Sequence, residues 1–211
     1  MADQRPYHSS LREEQARATR RRIVEAGRDL FVEQGYARTT IDAIAARAEV
    51  SRKTVFTSVG GKPGVLKLAW DWALVGDDEP VPMADRPELL RMMQERDPAT
   101  LIADWSRFTA AIVHRLAPLY DVLLVAADGD SEVASLWAVS EANRSGGARA
   151  FTELLQAIGG LRPDLPLDRA TAIAEILMDP LPCRRLVFDA GWTLEEYADY
   201  LERMARAAFL A

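Results

Sequence analysis

Arg52, Lys53, Thr54 and Thr57 lie close together and carry polar or basic side chains suited to hydrogen bonding. If this stretch is helical, Val55 and Val59 take the opposite side, four residues apart, and the polar set projects outward. Such a set on a projecting helix can reach base edges in the major groove of a duplex. The hydroxyls of Thr39 or Thr40 and of Ser51 stand where two short helices would begin. They can cap those helices, whose free N–H groups carry partial positive charge suited to phosphates. A plain helical hairpin inside a bundle fits the same pattern, and both readings stand on spacing alone.

Those side chains are useful only if other elements hold them. Ile23, Ala26, Leu30 and Phe31 follow helical spacing, so a helix is expected from about Leu11 to Gln34, with Gly35 as a left-handed stop. A second, short helix is expected from Thr39 or Thr40, with Thr39 and Asp42 as a capping box and Ile41, Ile44, Ala45 and Ala48 facing inward. Ser51 then caps a third helix that ends before Gly60 and Gly61. A fourth runs from about Lys62 to Val75. Together the first three make a helix-turn-helix unit. The stretch from Gly76 to Pro87 is rich in proline and acid and reads as a loop.

Further helices are expected near Pro87–Arg96, Pro98–Leu116, Pro118–Ala127, Ser131–Ile158, Asp168–Met178, Pro180–Asp189 and Leu194–Phe209. Asp97-Pro98 and Asp179-Pro180 each pair a capping acid with proline at the first helical position. Thr193 and Glu196 form a further capping box. Gly146-Gly147 marks either a kink or a close approach of another backbone. Strand signals are nearly absent, and the fold class is all-α. The expected division is residues 1–62, which hold the helix-turn-helix unit, and residues 63–211, which hold the remaining helices.

The chain has 211 residues, 49% hydrophobic and 27% charged, with a net charge of −6, ordinary values for a globular protein. Residues 1–62 hold 12 Lys+Arg against 8 Asp+Glu, while the remainder holds 14 against 24. A basic head on an acidic body suggests a nucleic-acid partner for the head. Arg17, Arg20, Arg21 and Arg22 either coat a solvated helix face or track phosphates. Two histidines and one cysteine are too few for a zinc cluster, so neither a metal nor a cofactor is expected. The single Cys183 cannot close an intrachain disulfide, and a reducing cytoplasm is the expected setting. Apolar runs such as Val122–Ala127 are too short to span a bilayer, and no membrane partner is expected.

From Ile23 to Leu66 the ordered residues Ile23, Ala26, Leu30, Phe31, Gly35, Tyr36, Thr39, Thr40, Ile41, Ile44, Ala45, Ala48, Val50, Ser51, Thr54, Val55, Lys62 and Leu66 resemble the DNA-binding domain of the tetracycline-repressor (TetR) family. Gly160-Leu161-Arg162-Pro163, Arg185-Leu186-Val187 and Gly191-Trp192-Thr193 are similar to the C-terminal domain of actinobacterial-style members. The resemblance implies DNA contacts from Thr40, Ser51, Arg52, Lys53, Thr54, Phe56, Thr57 and Lys62. Glu49 stands where the family often has glycine, and a left-handed backbone there would cost roughly 1 kcal/mol. Phe56 stands where many members carry a tyrosine, so it either touches DNA or only packs. Lys62 matches a family lysine near the DNA backbone, though an ordinary helix-end lysine would look the same.

Within the C-terminal half, Trp105, Phe108, Tyr120, Trp137 and Phe151 either fill a core or line an apolar cavity. His114 is either an interior histidine or a polar anchor in that cavity, and no nucleophile or second ligand stands at motif spacing from it, so no catalytic residue is expected. Cys183 reads first as a small buried hydrophobe and second as a redox sensor. Tyr197, Leu201, Met204, Ala205 and Ala208 form an apolar stripe that is hidden under its own chain or under a twin. The resemblance therefore implies a homodimeric repressor, paired through about residues 180–209 and released from operator DNA by a small apolar effector. The alternative is a helical small-molecule-binding protein or enzyme whose basic N-terminus is incidental. A DNA-binding activator, or a regulator with no effector, shares the same site.

Overall fold

Helix starts in this chain coincide with side chains able to take up free N–H groups. In the computed structural model, which describes residues 5–211 and side chains from residue 12 onward, the order is α1 (Arg5–Gln34), α2 (Ile41–Arg47), α3 (Arg52–Val59), α4 (Lys62–Val75), α5 (Pro87–Gln94), α6 (Pro98–Ala127), α7 (Ser131–Ala157), α8 (Leu167–Leu177), α9 (Pro180–Cys183) and α10 (Leu194–Phe209). A π-helical turn, Arg184–Asp189, continues directly from α9. The described residues contain no strand, and the fold is all-α. Asp97 accepts from Thr100 N at 2.8 Å, Asp179 from Leu181 N at 2.8 Å, and Thr193 with Glu196 closes the expected capping box.

Four expectations need correction. Thr40, not Thr39, caps α2, with its hydroxyl accepting from Ala43 N at 3.1 Å. Thr39 is buried instead, bonding Leu30 O at 3.2 Å and Gly35 O at 2.9 Å, so the box with Asp42 does not form. The helices expected on either side of Pro118 are one continuous α6. Proline removes one N–H donor there, but Leu116, Ala117, Leu119 and Leu123 are all buried and hold the helix through it. The segment after Pro180 is not a regular α-helix to Asp189, since it loosens into the π turn after Cys183. The glycines of α7 do not break it, and Gly147 lets the Met178 side chain approach rather than a backbone.

The chain divides into two compact units, one running to Trp72 and including Asp121–Leu136, the other comprising Ala73–Tyr120 and Trp137–Ala211. In the first, Ile23, Phe31, Ile44, Val55, Val65 and Leu66 are fully buried, and α1, α2 and α3 all touch one another. In the second, one apolar cluster gathers Leu101, Ile102, Trp105, Phe151, Leu155 and Phe209, and another gathers Ala110, Val113, Cys183, Tyr197 and Leu201. By composition α6 is long and apolar enough to cross a membrane. Leu101, Ile102, Trp105, Val113 and Leu119 are nevertheless buried in the protein, as in a core helix.

Two glycines predict opposite effects from one substitution. A Cβ on Gly64 would lie 1.8 Å from the Val59 carbonyl oxygen, where the end of α3 presses on the first turn of α4. Gly64→Ala is expected to destabilise by about 1–3 kcal/mol. Gly146 is exposed within α7 and has open space around it. Gly146→Ala is expected to stabilise by about 0.5–1 kcal/mol by removing backbone freedom from the unfolded chain. Denaturant midpoints of the two variants should move in opposite directions.

Candidate functional site

α3 begins at Ser51, whose hydroxyl accepts from Thr54 N at 3.1 Å and lies 2.7 Å from Thr54 Oγ1. It ends at Gly60, a left-handed cap with φ 80°. Only Val55 of this helix is fully buried, so its other side is turned outward. Arg52, Lys53 and Thr57 are exposed there, with Thr54 half-buried beside them. The Thr57 hydroxyl donates back to Lys53 O at 3.1 Å and to Thr54 O at 3.2 Å, which fixes its rotamer. Phe56 is 46% exposed, so its ring is a surface group rather than a core residue. The Arg52 guanidinium lies 5.9 Å from that ring centroid and 3.1 Å from Asp42 Oδ2.

The placement of charge in α3 runs against helix stability. Its first turn holds no acid and two cations, Arg52 and Lys53, where the macrodipole favours the opposite sign. The same free N–H groups and partial positive charge suit a polyanion lying across the helix start. The turn before α3 carries Glu49 at φ 54°, a left-handed non-glycine residue, so the strain expected there is present. Structure thus brings Thr40, Ser51, Arg52, Lys53, Thr54, Phe56 and Thr57 onto α3 and the two helix starts.

Lys62 is placed differently. Its ammonium donates to Tyr36 O at 3.1 Å and sits 4.0 Å from the centre of the Tyr36 ring. The Tyr36 hydroxyl donates to Asp130 Oδ2 at 2.8 Å, and Asp130 Oδ1 caps α7 by accepting from Glu132 N at 3.0 Å. Burial, then the Asp130 bond, pushes the Tyr36 hydroxyl upward. For Asp130 burial acts the other way, yet the Tyr36 bond, the backbone N–H groups of α7 and Lys62 together hold its carboxyl below the usual range. Nothing in the sequence pairs residues 94 positions apart, so spacing alone did not reveal this clasp.

The six residues expected to line a cavity fall into three groups. Trp105 and Phe151 stack with centroids 4.2 Å apart, and Phe151 meets Phe209 edge-on at 5.7 Å. Phe108 packs against the same cluster, so these three fill core. Tyr120 meets Trp137 edge-on at 5.7 Å, and its hydroxyl donates to Asp179 Oδ2 at 3.3 Å. Burial and then Asp179 push that hydroxyl up to about 12. Arg144 bridges Asp179 and Glu141, the latter at 2.6 Å, a polar cluster that the sequence pattern does not signal. His114 stacks on the half-exposed Phe188 at 5.1 Å, and burial followed by the neighbouring Arg115 lowers its basicity. Arg115 itself donates to Ala73 O at 2.7 Å and Leu74 O at 3.1 Å, closing the last turn of α4. Cys183 is buried, and burial pushes its thiol up to about 12, as for a packed hydrophobe. Tyr197, Leu201 and Ala205 are buried under their own chain rather than presented to a twin.

Residues 23–67 match the family model of bacterial regulatory proteins, tetR family. Over 75 residues the chain is 35% identical to the helix-turn-helix-type transcriptional regulator TtgW of Pseudomonas putida, covering 36% of this chain and 53% of that protein. The match thus spans about half the length of that relative. Among solved structures, NalD, the secondary repressor of the MexAB-OprM multidrug efflux pump in Pseudomonas aeruginosa, superposes with a TM-score of 0.67 at 18% identity, covering 93% of this chain and 98% of NalD. A transcriptional regulator from Saccharomonospora viridis in complex with choline gives a TM-score of 0.68 at 15% identity, covering 91% and 97%. At these identities the likeness establishes the fold.

The clasp makes a pH-dependent prediction. Tyr36→Phe removes a donor to a charged carboxylate and should cost about 1.5–3 kcal/mol at neutral pH. Because Asp130 is held below its unfolded value, its contribution is present above about pH 4 and fades as the pH falls further. The stability gap between wild type and variant, read by denaturant titration at stepped pH, should therefore narrow in acid. A gap that stays constant down to about pH 3 contradicts the role of the Asp130 charge.

Proposed function

We propose that this chain is a sequence-specific, DNA-binding transcriptional repressor of the tetR type, whose family model residues 23–67 match, acting in the cytoplasm as a homodimer. The exposed cations in the first turn of α3 carry this reading. They stand where the helix dipole disfavours them and where a phosphate or base edge would favour them. Residues 1–62 are the DNA-binding part and residues 63–211 the effector and dimerisation part. Thr40 and Ser51 face phosphates, Arg52, Lys53, Thr54 and Thr57 face the major groove, and Phe56 lies over the backbone. Lys62 contributes by holding Tyr36, and hence the start of α4, in place.

Pairing runs through about residues 180–209 with a face different from the buried stripe. Phe188 is 47% exposed, and Leu181, Leu194 and Met204 are exposed with it. Exposed apolar side chains in such number are a reason for a partner surface. A two-fold pair would present two α3 helices to successive major grooves of a palindromic operator. Sedimentation at micromolar concentration is expected to show a dimer, and Leu181→Glu with Phe188→Glu is expected to yield a folded monomer.

The effector is a largely apolar small molecule bound among residues 87–178. Tyr120 and Trp137 are the anchoring aromatics, next to the polar cluster of Asp179, Arg144 and Glu141. Trp105, Phe108 and Phe151 serve as the packed wall behind them. The choline complex of the Saccharomonospora viridis protein supports a small-molecule site in this fold, and choline's cation would suit aromatic faces flanked by acids. Arg115 connects this region to the end of α4, so ligand entry would move that helix. Full release needs a preference of about 5.5 kcal/mol for the DNA-incompetent state.

Two measurements test the whole. Replacing Arg52 and Lys53 by alanine should weaken binding to a duplex selected by the wild type. Where one of these side chains reads a base edge, its removal should cost about 1–3 kcal/mol of discrimination against random DNA. Unchanged affinity in a folded dimer would contradict the α3 assignment. A compound screen scored by release of that duplex should yield hits whose effect Trp137→Ala abolishes while DNA affinity is preserved.

A further inference from the structure

We propose that residues 12–22 of α1 form a second DNA-contacting element, a basic helical arm that lies along the phosphate backbone beside the recognition site. The inference rests on the reading of α3 as the recognition helix and extends the surface that reading uses. α1 is 30 residues long, yet its first buried side chain among the described residues is Ile23. Residues 12–22 are all exposed except Thr19, which is half-buried. At helical rise these residues alone carry the helix about 16 Å beyond its packed portion.

Packing gives no reason for such a projection. The only apolar residues from 12 to 22 are Ala16 and Ala18, so the arm has no face to bury against protein. The same lack argues against a membrane surface, which needs an apolar face beneath the charges. Charge is what the arm does carry. Arg12, Arg17, Arg20, Arg21 and Arg22 stand against Glu13 and Glu14, in a chain whose net charge is −6. Arg17, Arg21 and Arg28 recur at i, i+4 and i+11, one stripe that runs from the arm onto the packed part of α1.

The arm belongs to the same compact unit as α3, and α1 packs directly on α2 and α3. A duplex seated on α3 therefore comes to a body from which this helix projects. About 16 Å of duplex axis presents roughly nine phosphate charges. Arginine suits that partner, since its planar fork binds phosphate oxygens in pairs. Phosphate contacts add affinity and fix register without adding sequence information. The arm should therefore strengthen binding to every duplex in proportion to the phosphates it neutralises.

The test uses the full chain and a duplex that the wild type selects from a random-sequence pool. Affinity is measured across a series of salt concentrations for wild type, for R17A/R20A/R21A/R22A, and for the same four positions changed to lysine. The alanine variant should bind at least about tenfold more weakly at low salt, with a slope of log affinity against log salt shallower by about 0.9 for each phosphate no longer neutralised. Its preference for the selected duplex over random DNA should be unchanged. The lysine variant should keep the wild-type slope, which separates charge from any effect on helix structure. An alanine variant with the wild-type slope overturns the proposal, as does a lysine variant that loses as much as the alanine one. Arm-dependent binding to phosphatidylserine vesicles with no change in the DNA slope also overturns it, in favour of a membrane. A wild type that selects no duplex defeats the α3 reading itself, and is thereby distinguished from failure of the arm alone.

Discussion

Tyr36 sits where three parts of the chain must be held together. Its ring lies 5.4 Å from that of Phe31 at the end of α1, and the ammonium of Lys62 at the start of α4 lies over its face. Its carbonyl accepts from that same ammonium, and its hydroxyl donates to Asp130 between α6 and α7. A buried phenol without a partner would cost about 1–3 kcal/mol, so the hydroxyl specifies which turn can lie beside it. Helices α2 and α3 are too short to persist alone. They are positioned by packing on α1, whose end and whose exit into α2 are set at Tyr36.

This arrangement bears on how a ligand would reach the DNA-binding surface. All the residues considered for an effector site, Trp105, Phe108, His114, Tyr120, Trp137 and Phe151, lie on α6 and α7. Asp130 stands between those two helices, and their adjoining ends belong to the unit that contains α3. Arg115 of α6 meanwhile holds the last carbonyls of α4, whose first residue is Lys62. On the proposed function, a shift in α6 thus acts at both ends of α4, through Arg115 at one and through Asp130, Tyr36 and Lys62 at the other.

Local chemistry was legible in the sequence wherever it depended on near neighbours. The caps at Ser51, Asp97, Asp179 and Thr193, the extent of α10 and the outward side of α3 all follow from spacing and side-chain type. Thr39 and Thr40 show the limit, since either hydroxyl could cap and only packing against Leu30 O and Gly35 O decides that Thr39 is the buried one. Pro118 was misleading for the same reason, because the apolar residues around it outweigh one missing donor. The stripe of Tyr197, Leu201 and Ala205 was visible as apolar, but periodicity tells which face is covered and not what covers it. Aromatic type likewise marks Trp105 and Phe151 as interior, whereas only geometry shows that each ring's partner is the other. Pairs distant in sequence, Tyr36 with Asp130 and Arg144 with Asp179, leave no periodic trace.

On the proposed function, the distribution of charge follows from having both a DNA surface and a clamped interior in one chain. Outside residues 1–62 the chain holds 24 acids against 14 bases, so a polyanion is repelled by most of its surface. On the proposed function, repulsion by the body and attraction by α3 and α1 would orient the encounter, and both would fade within a Debye length of about 8 Å at physiological salt. The basic residues themselves contribute little to folding: Arg52 and Asp42 form an exposed pair of the sort worth at most about 1 kcal/mol. Lys53 at a helix start is mildly unfavourable. Better shielded are the groups that share charge away from that surface, Lys62 with Tyr36 and Asp130 and Arg144 with Asp179. On the proposed function the surface cations are placed for a partner, and the interactions that hold the fold lie where no partner needs to touch.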